Sequence, residues 1–436
     1  MTAPVHGASP GGARGLAQSV GATLGASLLL VLLLAVANVI VSRLLGVEGR
    51  GIVAAATLIP MIVGYAGELG IPVATGYLIN VRPRDRETVI SSARALGGIV
   101  SVILVLVSAA LSLLLPLPPA ARGLSVGYSV FAALNLLHRV NLTVLQADLR
   151  LRLFNGIRVL GAALYVGVLV GYLAAGIDSE LAVVLALVVL NTFWFACTWA
   201  SVGRHPGPRL DRPVSRALLG YGVRAHIGNV AVVDALRVDQ LVLALFLAPT
   251  QLGLYVAAMT VITANRVIGT SVGVLCFPMA AKGDGGRDPG ARRQFRKLIV
   301  ATAALSGAVA LVEWFLGGSL LTIFFGPDFA GARRALQILA LASVAMNLRQ
   351  MYADWLRGAG RPGPVAYSEL VSITTLGLGC AVLWDGSVLA VAWAVSLSSV
   401  ASLACLVLVG ALRNNGGRES SDSAPASVQA SEAWEA

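Results

Sequence analysis

The sequence has few of the residues that enzymes and redox proteins use. Only 12% of its 436 residues are charged, and it contains four histidines and four cysteines. The cysteines, Cys197, Cys276, Cys380 and Cys405, lie singly in apolar segments, without the close spacing of a metal or redox site. No GxxxxGK[ST] nucleotide-binding loop is present, and no polar segment is long enough for a separate catalytic domain. We therefore expect a protein that is not an enzyme and that needs no metal or organic cofactor.

Apolar segments dominate the chain instead. Hydrophobic residues make up 57% of it, and the mean hydropathy is +0.82. A helix of about 20 apolar residues crosses the hydrocarbon core of a bilayer. The sequence predicts twelve such spans, at residues 17–42, 51–79, 95–116, 123–146, 156–176, 180–202, 217–246, 253–280, 298–317, 333–356, 364–383 and 386–412. The predicted fold class is therefore all-α, a polytopic membrane protein.

The second half of the chain repeats the first at a shift of 202 residues. The segment 44–56 then falls on 246–258, which places Gly51 on Gly253. Two related halves of spanning helices are a common architecture of secondary transporters, with the substrate site between them. The predicted organisation is a cytoplasmic N-terminus at 1–16, an N-lobe of six spans at 17–202, a basic linker at 203–216, a C-lobe of six spans at 217–412 and a disordered cytoplasmic tail at 413–436.

The positive charge of the chain indicates its orientation. The net charge is +11, and basic residues collect in the cytoplasmic loops of membrane proteins. This rule explains the charge without a nucleic acid partner, and it places both termini in the cytoplasm. The basic segments 82–86 and 204–216 are then cytoplasmic, where they can contact anionic lipid headgroups. Arg43 and Arg50 fall in a turn at the outer surface.

Three sets of motifs resemble one family of membrane transporters. They are 41–51 with 67–72, 237–241 with 253–258, and 325–329 with 356–361. In this order and spacing they are similar to polysaccharide exporters and lipid-linked oligosaccharide flippases of the multidrug/oligosaccharidyl-lipid/polysaccharide exporter superfamily. The resemblance covers residues 17–412.

The resemblance implies a fold, a substrate class and a location. The two six-helix lobes would form a V around a central cavity and work by alternating access. The substrate would be an undecaprenyl-diphosphate-linked oligosaccharide or polysaccharide precursor, moved outward across the bacterial cytoplasmic membrane. Peptidoglycan-precursor flippases of the same superfamily commonly carry two further C-terminal helices and basic residues in the first span. This chain has a polar tail and no charge in that span before Arg43, which disfavours a peptidoglycan precursor.

Charged residues inside the predicted spans are the candidate substrate-binding residues. An arginine at the bilayer centre costs about 2.5–3.5 kcal/mol on insertion scales, so it is expected to face protein, water or an anionic ligand. Arg266 is the strongest candidate, because the repeat places it and Glu68 on matching faces of matching helices. Arg224 has no acid within one helical turn and binds substrate or reaches to the headgroups. The other candidates, for which pairing with an acid is the alternative, are Arg139, Arg237 and Arg349.

The energy source and the function each have alternatives. The membrane potential supplies about 2.3 kcal/mol per charge per 100 mV; alternatively a proton or Na⁺ is carried by Glu68, Asp234 or Asp239.

A drug/cation antiporter of the same superfamily would need acids rather than arginines in its cavity. A transport-inactive scaffold would recruit polysaccharide-synthesis enzymes through the basic loops. A membrane-bound sugar polymerase is disfavoured because a large outer loop is missing. The expected partners are membrane lipid, a polyprenyl-diphosphate-linked glycan and, for the scaffold, those enzymes.

Overall fold

Helices form almost all of the described chain. The computed structural model describes residues 10–81, 83–203, 207–227, 236–282, 288–361 and 363–415, and no strand occurs within these ranges. The helices are α1 (Pro10–Ala66), α2 (Ile71–Val81), α3 (Arg86–Leu114), α4 (Pro119–Tyr128), α5 (Val130–Ala147), α6 (Leu151–Ala175), α7 (Glu180–Val202), α8 (Arg212–Ile227), α9 (Val238–Phe246), α10 (Pro249–Lys282), α11 (Pro289–Phe324), α12 (Arg333–Gly358), α13 (Gly363–Leu383) and α14 (Val388–Asn415). Short 3₁₀ turns occupy Pro83–Asp85 and Pro327–Ala332.

The helices confirm the predicted polytopic membrane fold. Ten helical stretches of the described residues are long and apolar enough to cross a membrane. The first, Gly25–Val81, has 57 residues, and at a rise of 1.5 Å per residue it is long enough for two crossings. Helices α8 and α9 lie in the predicted seventh span, of which residues 228–235 are outside the described ranges. The predicted tail, 413–436, also lies outside them beyond Asn415.

Three backbone breaks position the residues described below. Gly46 (φ 65°, ψ −170°) kinks α1 within the segment that was expected to connect the first two spans. Leu69 (φ 50°) and Gly70 (φ 66°) separate α1 from α2 inside the predicted span 51–79. Arg237 (φ 48°) interrupts the helix predicted over 217–246 in the same way. Prolines do not cause these breaks: Pro60 lies inside α1, and Pro72 occupies the first turn of α2, where proline is tolerated.

The helices pack into two lobes. In the N-lobe, α1 packs against α4 and α6, α3 against α5, and α5 against α7. In the C-lobe, α10 packs against α11 and α12, and α14 against α12 and α13. Small residues at the contacts let helices approach closely, because lipid gives no hydrophobic force between them. Ala55 and Ala56 are fully buried, as are Ala257 and Ala258, their partners in the 202-residue repeat.

The two lobes meet where α1 crosses α10. A Cβ atom on Gly51 would lie 1.8 Å from the carbonyl oxygen of Pro249, and one on Gly253 would lie 2.0 Å from that of Val47. Gly51 and Gly253 are repeat partners, and so are Val47 and Pro249. The contact is therefore symmetric and is made by backbone on backbone, as in glycine-mediated helix crossings. We call this part of the bundle the Gly51 end.

Arg43 adds a second contact between the lobes at the Gly51 end. Its Nε donates a hydrogen bond to the carbonyl oxygen of Phe324 at 2.7 Å, and its Nη2 donates to that of Ile323. These carbonyls are at the C-terminus of α11, where the last turn of a helix leaves acceptors unsatisfied. An N-lobe arginine thus caps a C-lobe helix.

Helix α8 packs against the N-lobe at the other end of the bundle. A Cβ atom on Gly70 would lie 2.1 Å from the carbonyl oxygen of Gly222. Nearby, the rings of Tyr77 and Tyr221 stack with centroids 4.1 Å apart and planes 5° apart. These contacts join α2 to α8, and we call this part of the bundle the Gly70 end.

The linker that precedes α8 is hydrogen-bonded to α3. Ser91 Oγ donates to the carbonyl oxygen of Gly207 and accepts from the backbone N–H of Arg209, both at 2.9 Å. Ser92 Oγ makes the corresponding bonds to Arg209 and Asp211 at 3.3 and 3.2 Å. Two adjacent serines on α3 therefore hold the linker against the N-lobe.

Candidate functional site

A cavity of about 480 Å³ lies between the lobes. Its N-lobe wall comes from α1, α4, α5, α6 and α7, and its C-lobe wall comes mainly from α9 and α10. Ligand sites in proteins commonly occupy about 300–1,000 Å³. The lining is mixed: aliphatic and aromatic side chains alternate with hydroxyl and amide groups, among them Asn38, Thr57, Asn191, Gln240 and Thr260.

Basic side chains outnumber acidic ones in the cavity wall. The lining includes three arginines, Arg50, Arg237 and Arg266, and one acid, Asp239. Three positive charges against one negative charge leave a formal net charge of +2 on the described lining. Asp239 is buried and accepts a hydrogen bond from the hydroxyl of Tyr255 at 2.5 Å. The described lining therefore favours an anion.

Arg50 is the most enclosed of these arginines. It is 8% exposed, and its Nη2 donates to Oδ1 of Asn38 at 2.5 Å. Its Nε is buried and has no hydrogen-bond partner among the residues described. A buried donor without a partner costs about 1–3 kcal/mol, so the Arg50 guanidinium is incompletely satisfied in this conformation.

The position of Arg50 corrects the prediction that it lies in a turn at the outer surface. After the kink at Gly46 the helix has already resumed, so Arg50 is one turn before Ala54 on the same helical face. Arg50, Ala54, Thr57, Met61 and Tyr65 are spaced at helical intervals, and all line the cavity. This stripe could have been read from the sequence had the break been placed at Gly46 alone.

Glu68 pairs with an N-lobe arginine near the Gly70 end. Arg139 Nη1 lies 3.1 Å from Glu68 Oε2, and the Arg139 guanidinium lies 5.7 Å from the ring centroid of Tyr65. His226 of α8 approaches the same carboxylate at 3.8 Å and contacts the carbonyl oxygen of Ala66 at 3.1 Å. The structure therefore places Glu68 with Arg139 and His226 rather than opposite Arg266 across the cavity.

Arg224 lies apart from the cavity. It is exposed, and its Nε donates to the carbonyl oxygen of Gly220 at 2.8 Å. It borders a separate surface groove along α8 together with Arg212 and Arg216. Of the candidate ion carriers, Asp239 lines the cavity, whereas Asp234 lies outside the described residues.

Arg349 forms a buried ion pair inside the C-lobe. Its Nη1 lies 2.6 Å from Oε1 of Glu369, which joins α12 to α13. Both residues are buried. Arg357, one of the neighbouring arginines on α12, forms a more exposed pair with Asp354 at 3.1 Å.

Replacing Arg349 by methionine is expected to destabilise the protein by about 3–5 kcal/mol, because Glu369 would remain as a buried charge without its cation. Thermal unfolding of the purified protein in detergent measures this. Arg349→Met combined with Glu369→Leu should recover most of the loss, since it removes both charges. Arg357→Met is the matched control on the same helix and should have a smaller effect. Equal losses in the two single variants would contradict a special role for the buried pair.

A comparison with known proteins places this architecture in a family. The family model described as "Polysaccharide biosynthesis protein" matches residues 40–334, more than half of the chain. The chain belongs to this family. No curated protein sequence matches the chain.

Solved structures share the fold of this polysaccharide biosynthesis protein. One described as lipid II flippase MurJ in an inward closed conformation has a TM-score of 0.73 at 11% identity, covering 88% of this chain and 86% of that one. An inward-facing multidrug resistance MATE family transporter has a TM-score of 0.70 at 13% identity, covering 90% and 96%. A MOP superfamily transporter from Pyrococcus furiosus has a TM-score of 0.61 at 15% identity, covering 92% and 95%. The predicted all-α membrane fold is thus confirmed, and these solved transporters share it.

Proposed function

We propose that the protein is a flippase that moves a lipid-linked oligosaccharide, carried on undecaprenyl diphosphate, across the cytoplasmic membrane of a bacterium. One observation carries the proposal: among the described residues, the cavity between the lobes is lined by Arg50, Arg237 and Arg266 and by one acid, Asp239. The structural likeness to a lipid II flippase and membership of a polysaccharide biosynthesis family support the same substrate class.

The chemistry of the cavity matches the headgroup of such a lipid. A diphosphate carries about two negative charges, and arginine offers a planar pair of N–H donors that fits phosphate oxygens. Hydroxyl and amide groups of the lining, such as Thr260 and Asn191, can hydrogen-bond the sugars. The polyprenyl chain can stay in the bilayer, because the walls of the cavity come from two separate lobes.

The direction of transport follows from the charge asymmetry. With both termini cytoplasmic, the Gly51 end faces outward and the Gly70 end faces the cytoplasm. The α8 groove with Arg212, Arg216 and Arg224 then lies at the cytoplasmic leaflet, where an anionic lipid headgroup would first arrive. A negative potential inside the cell favours outward movement of an anion by about 2.3 kcal/mol per charge per 100 mV.

Reconstitution tests the proposal directly. Proteoliposomes containing undecaprenyl-diphosphate-linked oligosaccharide should expose the lipid to a lectin or periodate on the other leaflet faster than protein-free vesicles. A strain lacking the protein should accumulate the same lipid on its cytoplasmic leaflet. If neither result is obtained, the proposed substrate is wrong.

A drug/cation antiporter is the second candidate function, because an acid, Asp239, lies in the cavity wall. Two substitutions distinguish it from the flippase. A flippase for an anionic lipid should lose activity in Arg266→Ala. An antiporter should tolerate that change and lose efflux of a cationic dye in Asp239→Asn. A scaffold for synthesis enzymes should be insensitive to both and should instead respond to neutralisation of the basic residues within 204–216.

A further inference from the structure

A polar cluster lies inside the C-lobe, away from the cavity. It joins α10, α11 and α12, and its members are Asn265, Ser306, Glu313, Ser343 and Asn347, each at most 3% exposed. The cluster does not belong to the cavity lining. Four of its five members are uncharged, and Glu313 is the exception.

Hydrogen bonds fix the orientation of the central amide. Nδ2 of Asn265 lies 3.1 Å from the backbone carbonyl oxygen of Ser306 and 2.8 Å from Oγ of Ser343. Oδ1 of Asn265 accepts from Oγ of Ser306 at 2.8 Å and from Nδ2 of Asn347 at 3.1 Å. The backbone carbonyl of Ser306 can only accept a hydrogen bond, so the atom of the Asn265 amide that faces it must be the nitrogen. The same nitrogen lies 3.3 Å from Oε2 of Glu313.

No cation in the described part of the chain pairs with the Glu313 carboxyl. Its Oε1 is buried and has no hydrogen-bond partner among the described residues. Asn265 is the one described side chain that donates a hydrogen bond to this carboxyl. The charged side chains described on the packed elements are Arg266 on α10, Asp328 in the 327–332 turn, and Arg333, Arg334, Arg349, Asp354 and Arg357 on α12; those on α11 itself are Arg292, Arg293, Arg296 and Lys297. Among the described contacts, none of them forms an ion pair with Glu313. An uncompensated carboxylate in such a place costs several kcal/mol, so it tends to become neutral.

The contacts favour a proton over a metal cation as the neutralising species. A sodium ion would need several oxygen ligands around it, whereas the nearest cluster group presents N–H hydrogens to the carboxyl. A protonated carboxyl needs no set of oxygen ligands and no neighbouring cation. Its Oε2 still accepts from Asn265, and the proton resides on Oε1, the oxygen without a described partner. We propose that Glu313 is a proton-binding site that couples proton movement to the conformational cycle of the C-lobe.

The site is connected to the cavity through α10. Asn265 is adjacent to Arg266, so one side chain enters the cluster while the next lines the cavity. One turn further, a Cβ atom on Gly269 would lie 2.5 Å from Oδ1 of Asn347, so the cluster packs tightly against α10. Helix α10 also forms the Gly51 crossing. Glu313 would gain a proton from water on one side of the membrane and return it to water on the other. Each change would therefore favour a different position of α10, the helix that carries Arg266. This coupling rests on the proposed transport function.

Infrared spectroscopy of the whole protein in lipid nanodiscs tests for the proton itself. The wild type should show the C=O stretch of a protonated, water-excluded carboxyl at neutral pH, and Glu313→Gln should lose it. Glutamine keeps the size of the side chain and still accepts from Asn265, so the variant is expected to fold. Glu87→Gln, which removes an exposed acid on α3, is the matched control and should retain the band. Retention of the band in Glu313→Gln would overturn the proposal.

A labelling experiment tests the coupling to conformation. Thr263→Cys, placed in the cavity wall of a variant without the four native cysteines, reports the access of a membrane-impermeant maleimide. Because the thiolate is the reactive form of cysteine, each rate is divided by the rate of the same maleimide with a small free thiol at the same pH. This normalised rate should change several-fold between mildly acidic and mildly alkaline pH in the wild type. In Glu313→Gln it should be the same at both pH values and should match the acidic wild type, since a ligand shifts a conformational equilibrium only by its differential affinity. An unchanged pH dependence in the variant would also overturn the proposal.

The outcomes distinguish this proposal from the proposed substrate. In one outcome, wild type and Glu313→Gln both transport undecaprenyl-diphosphate-linked oligosaccharide, and a pH gradient affects neither. That outcome rejects proton coupling and leaves the flippase function supported. In the other outcome, the infrared carboxyl band and the pH dependence of labelling both require Glu313, but that lipid is not transported. This outcome supports the proton site and rejects the proposed substrate.

Discussion

Replacing Arg50 by methionine is expected to reduce flipping of an undecaprenyl-diphosphate-linked oligosaccharide roughly ten- to a hundredfold. Arg50 is enclosed in the cavity wall, and its guanidinium is the group expected to bind a phosphate oxygen. A hydrogen bond to a charged group contributes about 1.5–3 kcal/mol, and each 1.4 kcal/mol is about tenfold in affinity. Initial rates of lipid exposure in proteoliposomes measure the effect.

Two further variants determine which property of Arg50 matters. Arg50→Lys keeps the charge but loses the planar pair of donors, so it should recover only part of the activity. Arg122→Met removes an exposed arginine from α4 and should leave the rate unchanged. If Arg50→Met transports at the wild-type rate while remaining folded, the cavity does not bind the diphosphate through this residue.

Replacing Gly51 by alanine should open the bundle at the Gly51 end. The new Cβ would lie 1.8 Å from the carbonyl oxygen of Pro249, and real Cβ contacts are essentially never shorter than 3.0 Å. The helices α1 and α10 must therefore move apart, or the protein must adopt another conformation in which they do not cross so closely. Overpacking typically costs about 1–3 kcal/mol, which is roughly a five- to 140-fold change in the ratio of this conformation to one in which the crossing is open. Labelling of Thr263→Cys from the Gly51 side should accelerate accordingly.

The matched control for this variant is Gly123→Ala. Gly123 lies in α4 with no atom within 4 Å of an added Cβ, so the substitution should be neutral or stabilising by up to about 1 kcal/mol through helix propensity. Gly253→Ala should behave like Gly51→Ala, because the contact is symmetric. Different outcomes for the two repeat-related glycines would show that the crossing is not the shared cause.

The sequence predicted the large features of the fold because they depend on patterns that lipid enforces. Apolar segments of spanning length identified the helices, and the 202-residue repeat identified Gly51 and Gly253 as equivalent positions. Their packing against Pro249 and Val47 confirms that register. A repeat of small residues can be recognised without knowing what they contact, since close helix packing in lipid requires them.

The breaks and the finer parts of the site could not be predicted in the same way. Leu69 and Arg237 adopt left-handed backbone conformations, which their residue types do not favour, so only tertiary contacts explain them. Arg50 was misplaced because hydropathy could not show that the helix resumes directly after Gly46. Glu313 is an acid within a predicted span and was overlooked, although a charge at that depth is a signal in itself.

Helix α8 is attached to the half of the molecule that precedes it. Asp211 is bound by Ser92 of α3, and its Oδ1 accepts from the backbone N–H of Val214 in the first turn of α8. Arg237 directly precedes α9, with its side chain in the cavity wall. In the proposed flippase, a substrate held by this guanidinium would act directly on the start of α9. Filling of the cavity would then bear on a helix that packs against α1 of the other lobe.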